Sequence, residues 1–265
     1  MPSPDQTADD LDEIRREIDA IDTRLLALVS ERFDATGRVR AIKSGNGSIG
    51  VSPLRPAREA AILRRLVEAE APHLPASLKV RLWRAILAAS SLNQAKFAVH
   101  ISGSAINSGE LRVLIAERFG TAALVSHGTE ALVLEAVANA AGDVAVVAAE
   151  SDWARGFADG RCGKARVIGV APDLSDGGAP KALVIGHAAA EATGADETLV
   201  VSDGQLPRDF AIAPLWQVKS GNLRVSSLPG FLDEHSPPVA GILRANTGLR
   251  LQLAGRYPSP IETGA

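Results

Sequence analysis

From Leu11 onward, apolar residues recur at alternating steps of three and four: Leu11, Ile14, Ile18, Ile21, Leu25 and Leu28, then Ala35, Val39 and Ile42. That period predicts a long helix packed along its length against other helices. Leu11 to Lys43 contains no proline and one glycine, Gly37, so the helix is predicted to run unbroken. At ~1.5 Å per residue it spans roughly 50 Å, more than the width of a compact domain of about a hundred residues. Such a helix must project from its own subunit and be covered by a second copy. A connector follows at Ser44 to Ser48, and Pro53 and Pro56 precede a second helix with Ile62, Leu63, Leu66 and Val67 on its apolar face. Pro72 and Pro75 break it, and a third helix is predicted from about Ala76 to Ala98, presenting Leu82, Trp83, Ile86 and Leu87.

Beyond residue 100 the pattern changes. Short β-branched runs at Val144–Val147, Arg166–Ile168, Ala182–Ile185 and Leu199–Val201 are separated by glycine and proline clusters, and Glu130 to Ala141 reads as a helix between strands. Alternation of this kind predicts an α/β domain. The expected organisation is therefore a helical domain over 1–99 and an α/β domain over 100–265, with a frayed tail after Pro258.

The polar interruptions of the apolar stripes carry the chemistry. The heptad count reaches position 32 and finds Arg32, a guanidinium that cannot lose its proton and needs an anion if buried. That anion is either a carboxylate on a neighbouring helix or an acidic ligand. Lys43 lies three turns further on the same side, about 16 Å away along the axis, whereas Arg15 is about 25 Å from Arg32 and reaches only the equivalent site of a two-fold partner. On the second helix Glu59 continues the stripe of Ile62, Leu63 and Leu66, with Arg58 before it. On the third, Ser90 and Gln94 extend the stripe of Trp83 and Leu87. Three helices thus aim Arg32, Lys43, Arg58, Glu59, Ser90 and Gln94 inward. In the bland alternative Glu59 neutralises an arginine while Ser90 and Gln94 satisfy one another. An excess of cations over carboxylates fits a ligand with more than one negative group.

Composition removes other classes. The net charge of −3 leaves no footprint for nucleic acid or an anionic membrane. The lone Cys162 forms no internal disulfide and reads as an inert small residue. The polar, acidic stretch Met1 to Asp10 is no secretory signal, and no apolar run is long enough to span a bilayer. A cytoplasmic location is expected. No metal spacing and no Cys/His pairing is present, so neither metal nor nucleophilic catalysis is indicated and no cofactor is expected. His127, His187 and His235 are scattered and expected at the surface.

The run Leu11 to Asp22, then Leu25 to Leu28, Glu31-Arg32, Lys43, Arg58-Glu59 and Ser90 to Gln94, resembles the all-helical chorismate mutases over about residues 10–97. The resemblance implies an intertwined helical homodimer that rearranges chorismate to prephenate. It implies that Arg15 of one chain, with Arg32 and Arg58 of the other, holds the site. Arg15 and Arg32 would bind the two carboxylates, Lys43 and Gln94 the ether oxygen, and Glu59 the ring hydroxyl. Ser90 would line the carboxylate end. Position 55, often acidic in that family, is Arg55, where the contribution implied is a backbone amide. The spacing from Lys43 to Arg58 is slightly longer than usual.

The stretch Asp143 to Ser151 distantly resembles the strand and Glu-Asn-Ser turn of prephenate dehydratases, whose fold is of the periplasmic-binding type. Pro180 to Ile185 falls where that family carries Thr-Arg-Phe, and neither the threonine nor the arginine is present. The expectation is a degenerate relative that binds a small-molecule effector or a partner protein. Alternatives to a monofunctional mutase are a bifunctional mutase–dehydratase, an isochorismate pyruvate-lyase and a non-catalytic regulator.

Overall fold

A computed structural model describes residues 4–45, 52–206, 212–245 and 248–262, with side-chain surroundings from Asp10 onward except at positions 40, 43–45 and 245. By packing, the chain divides into residues 1–49 and residues 50–265. The first unit is one helix, α1 (Pro4–Gly45), 42 residues long. It begins before the predicted Leu11, and Ser44 and Gly45 of the expected connector close it. The rest of that connector, residues 46–48, lies outside the described residues. The heptad seam is exposed along its length: Leu25 is 54 % accessible and Ile42 67 %, with Leu11, Ile14, Ile18, Ile21, Leu28 and Val39 similarly open.

In the second unit, α2 (Pro56–Glu68) starts with proline in its first turn and Glu59 near the positive end of its dipole. It stops at Ala69, short of Pro72. Helix α3 (Ala76–Gln94) ends when Ala95 turns extended, earlier than the predicted Ala98. Ala98 instead opens β1 (Ala98–Ser102), whose Val99 and Ile101 are fully buried. Short α4 (Gly103–Ile106) and α5 (Gly109–Phe119) lead to β2 (Ala123–His127), parallel to β1. Helix α6 (Glu130–Asn139) then leads to β3 (Val144–Ala148), parallel to β1 on its other side. After α7 (Trp153–Ala158), β4 (Arg166–Ala171) and β6 (Ala182–Gly186) pair antiparallel, with the short β5 (Leu174–Ser175) between them.

The chain continues through β7 (Asp196–Ser202), β8 (Trp216–Ser220), β9 (Leu223–Pro229), α8 (Pro237–Ala245) and β10 (Leu251–Pro258). Together these strands form a nine-stranded mixed sheet in the order β2-β1-β3-β6-β4-β10-β7-β9-β8. All four strand runs expected from β-branched residues are present. The central ones read as continuous apolar runs because both faces are covered. Val147, Leu183 and Ile185 pack towards α6 and α7 with Val133, Trp153 and Phe157. Val146, Ile168 and Val184 pack on the other face with Leu111, Ile115 and Phe119 of α5 and with Phe97. Strand β10 pairs with β4 at Gly255 and Val167, and a Cβ at Gly255 would clash with the Val167 carbonyl oxygen. Glycine is required there by the close approach of the two backbones.

Two expectations are corrected. The tail after Pro258 is not frayed throughout: β11 (Ile261–Glu262) pairs in parallel with β5, and Ile261 packs on Leu63, Val80 and Leu87 of α2 and α3. Of the three histidines placed at the surface, only His235 is exposed. His127 is within hydrogen-bond distance of His100 (2.9 Å), which in turn meets Asp143 at 3.0 Å, and His187 meets the Val137 carbonyl at 2.9 Å. Burial and the neighbouring His100 lower the pKa of His127. Cys162 is buried, and burial pushes its thiol up.

Candidate functional site

The site residues are distributed over both units. On α1, Arg15 is exposed and donates to Asp12 at 2.9 Å, a local pair along the helix. Such an exposed pair contributes little. Arg32 is half-buried on the same helix. Lys43 lies in the last turn of α1, and its side chain is outside the described residues.

On α2 and α3 the polar groups are built into packing. Arg55 stands at the N-terminus of α2, where its backbone N–H donates to Glu59 Oε1 at 3.3 Å while its side chain pairs with Glu191 at 2.8 Å on the surface. This reciprocal bond satisfies one of the free N–H groups at the helix start. Arg58 is exposed. Glu59 faces inward, its side chain 12 % accessible, and accepts from Arg84 Nη1 at 2.7 Å. Arg84 also grips Asp173 with two nitrogens, Nε at 2.6 Å and Nη2. Arg118 Nη1 completes the cluster by donating to Asp173 at 2.6 Å and to the Val170 carbonyl at 3.0 Å.

Two guanidiniums and two carboxylates thus form a buried, charge-balanced cluster joining α2, α3, α5 and the loop after β4. Burial alone would depress the Arg84 guanidinium, but Asp173 and Glu59 outweigh it and the net direction is upward. Arg118 goes down, because burial and the charge of Arg84 exceed the help from its own carboxylate neighbours. For Asp173, burial pushes upward, and Arg118 and Arg84 together reverse it and hold the carboxyl below its usual value.

Ser90 is buried and donates to the Ile86 carbonyl at 2.6 Å. Gln94, half-buried one turn later, directs its Nε2 to the Ser90 carbonyl at 3.4 Å, so its amide is only weakly committed within the helix. The cavity that touches Glu59 has a volume of about 10 Å³. That is the size of a single water, not of a ligand.

Arg84, Arg118 and Asp173 escaped the sequence reading. Arg84 had a signal: Val80, Arg84, Leu87 and Ser91 follow steps of four, three and four, and all four are buried. A charge inside such a stripe carries the same meaning as Arg32 does on α1. Asp173 lies in a loop and had no comparable signal. The structure therefore brings Glu59 together with an arginine, as the bland alternative has it, but an arginine from outside the expected set.

Residues 14–95 match the family model described as chorismate mutase type II, a span just under a third of the chain. Arg15, Arg32, Lys43, Arg55, Arg58, Glu59, Ser90 and Gln94 all fall within it. No curated protein matches the chain. Among solved structures, a protein titled "GqqA- a novel type of quorum quenching acylases" is 10 % identical, with a TM-score of 0.39 over 61 % of this chain and 95 % of that one. A prephenate dehydratase from Streptococcus mutans is 13 % identical, with a TM-score of 0.34 over 62 % of this chain and 97 % of the other. At these scores neither likeness establishes a shared fold.

Proposed function

We propose, from a segment over residues 14–95 that matches the chorismate mutase type II family, that this chain is a chorismate mutase acting as a homodimer. The observation that carries the reading is that match, and Arg15, Arg32, Lys43, Arg58, Glu59, Ser90 and Gln94 all fall within its span. The exposed seam of α1 supports the dimer: nine large apolar side chains of that helix stand open in the single chain, and a second copy is the economical cover for a heptad face.

The rearrangement is unimolecular and needs no acid, base or covalent intermediate. As the carbon–oxygen bond breaks, electron density accumulates on the ether oxygen. Lys43 and the amide of Gln94 stabilise that charge more than they stabilise the ground state. Arg15 and Arg32 hold the two carboxylates, and with Arg58 they keep the enolpyruvyl chain folded over the ring. Glu59 accepts from the ring hydroxyl. Arg84 positions Glu59 by fixing one of its oxygens, which leaves Oε1, held only by the Arg55 amide, as the atom for the substrate. The backbone amide of Arg55 and the hydroxyl of Ser90 complete the lining. Location in the cytoplasm follows the biosynthetic role.

The test is purified protein mixed with chorismate, with substrate loss and product identity followed together. Prephenate alone is expected. Phenylpyruvate formed without acid would add a dehydratase step. Unchanged chorismate would leave the lyase, marked by pyruvate release when isochorismate is supplied instead, and the regulator.

A further inference from the structure

A cleft in residues 50–265 has a volume of about 500 Å³ and is bordered by α5, the loop between β4 and β6, β7, β8 and β11. That volume suits a small organic molecule. Its charge is one-sided. Four carboxylates line it, Glu110, Asp176, Glu197 and Glu262, against one cation, Lys181. Lys181 stands 3.7 Å from Glu110, both well exposed. Among the described residues no Lys or Arg pairs with the other three acids.

Glu197 is the telling one. It is only 5 % accessible, and no Lys or Arg pairs with it among the described residues. Three donors converge on one of its oxygens: Trp216 Nε1 at 3.1 Å, Tyr257 Oη at 2.8 Å and Ser227 Oγ all reach Oε2. The other oxygen, Oε1, has no hydrogen bond. Every fully buried side-chain N or O among the described residues does have a partner, so Oε1 is open to solvent, and the residue lines the cleft. A buried ion is normally matched by a counter-ion. Here three neutral donors hold one oxygen, and the other is bare on a residue that lines an acidic cleft. Burial pushes the Tyr257 phenol well up, and the charge of Glu197 adds to this, so Tyr257 remains a donor. Leu114, Leu174 and Leu215 supply apolar wall beside the carboxylates.

We propose that this cleft binds a small organic ammonium ion with an apolar body, the ammonium meeting Glu197 Oε1 and the apolar part lying against the leucines. Carboxylate ligands are disfavoured by the like charge of the lining. The site is independent of the mutase reading, since no residue of 14–95 lines the cleft.

The experiment uses the full chain and two probes of matched shape, phenethylamine and 3-phenylpropionate, titrated by calorimetry. The amine is expected to saturate one site and the acid to show no binding, with the affinity for the amine falling as salt rises. Glu197→Gln keeps a carbonyl for the three donors and turns an NH₂ towards the cleft. It should weaken amine binding about tenfold or more, the loss of one charge-assisted bond. Asp176→Asn, on an exposed loop, guards against a folding defect in the first variant and should weaken binding severalfold by removing a nearby charge. The proposal is overturned if phenethylamine does not bind the wild type, if the acid binds as well as the amine, or if a folded Glu197→Gln variant binds the amine as the wild type does. Should Glu197→Gln fail to fold, unchanged amine binding by Asp176→Asn overturns it instead.

Discussion

Asp173 is the residue on which the interior of the second unit turns, because it is the common partner of Arg84 and Arg118. Without it two guanidiniums remain buried against one carboxylate, an arrangement far costlier than the intact cluster is favourable. Asp173→Ala is expected to destabilise residues 50–265 by about 3–5 kcal/mol in urea unfolding. The same carboxyl gives the pH dependence its sign. Its pKa is held below the ordinary value in the folded state, so its contribution is fully present above about pH 4, its unfolded value, and is lost as pH falls through the lowered folded value. Thermal melts of the wild type should therefore drop on acidification below about pH 4, and those of Asp173→Asn should fall less steeply over that range. At the proposed active site, Lys43→Ala should lower kcat by at least about two orders of magnitude, roughly 3 kcal/mol of transition-state stabilisation. Near-normal turnover of chorismate by that variant would sink the assignment of Lys43.

Helix α1 makes the clearest statement among the elements. Forty-two residues rise about 63 Å, and tertiary packing, rather than propensity, stabilises most protein helices. With Leu25 54 % accessible in the single chain, the proposed dimer supplies that packing. Leu25→Glu, in the middle of the seam, should shift sedimentation velocity profiles from dimer towards monomer. A profile unchanged at low micromolar protein would remove the seam from the interface. Helices α2 and α3 behave differently. Their apolar stripe is completed by Leu174 and Ile261, from strands far along the chain, which is why Ile261 and Glu262 form a strand in a stretch that reads as polar and proline-rich.

For the whole molecule, the change of secondary-structure type at residue 100 and the division by packing at residue 49 are different boundaries. The family match ends at residue 95, yet Arg84 within it is anchored to Asp173 beyond it. A fragment of residues 1–99 would leave Arg84 and Glu59 without the rest of their cluster, and Leu63, Val80 and Leu87 without Leu174 and Ile261. It is expected to melt well below the full chain or without cooperativity in calorimetry. The sequence by itself determined the three helices of the first hundred residues, the helix from Glu130, the four apolar strands and the polar positions of the helical segment. Those follow from local periodicity, in which each residue's neighbours three and four, or two, places away decide its face. Only the tertiary structure decided that Glu59 meets Arg84, that Asp173 joins two arginines, and that a buried Glu197 lines a cleft. Those pairings span 25, 89, 55 and, from Glu197 to Tyr257, 60 residues of chain. At such separations no pattern along the sequence ties one partner to the other, and the burial that makes each charge consequential exists only once the sheet and helices have closed around it.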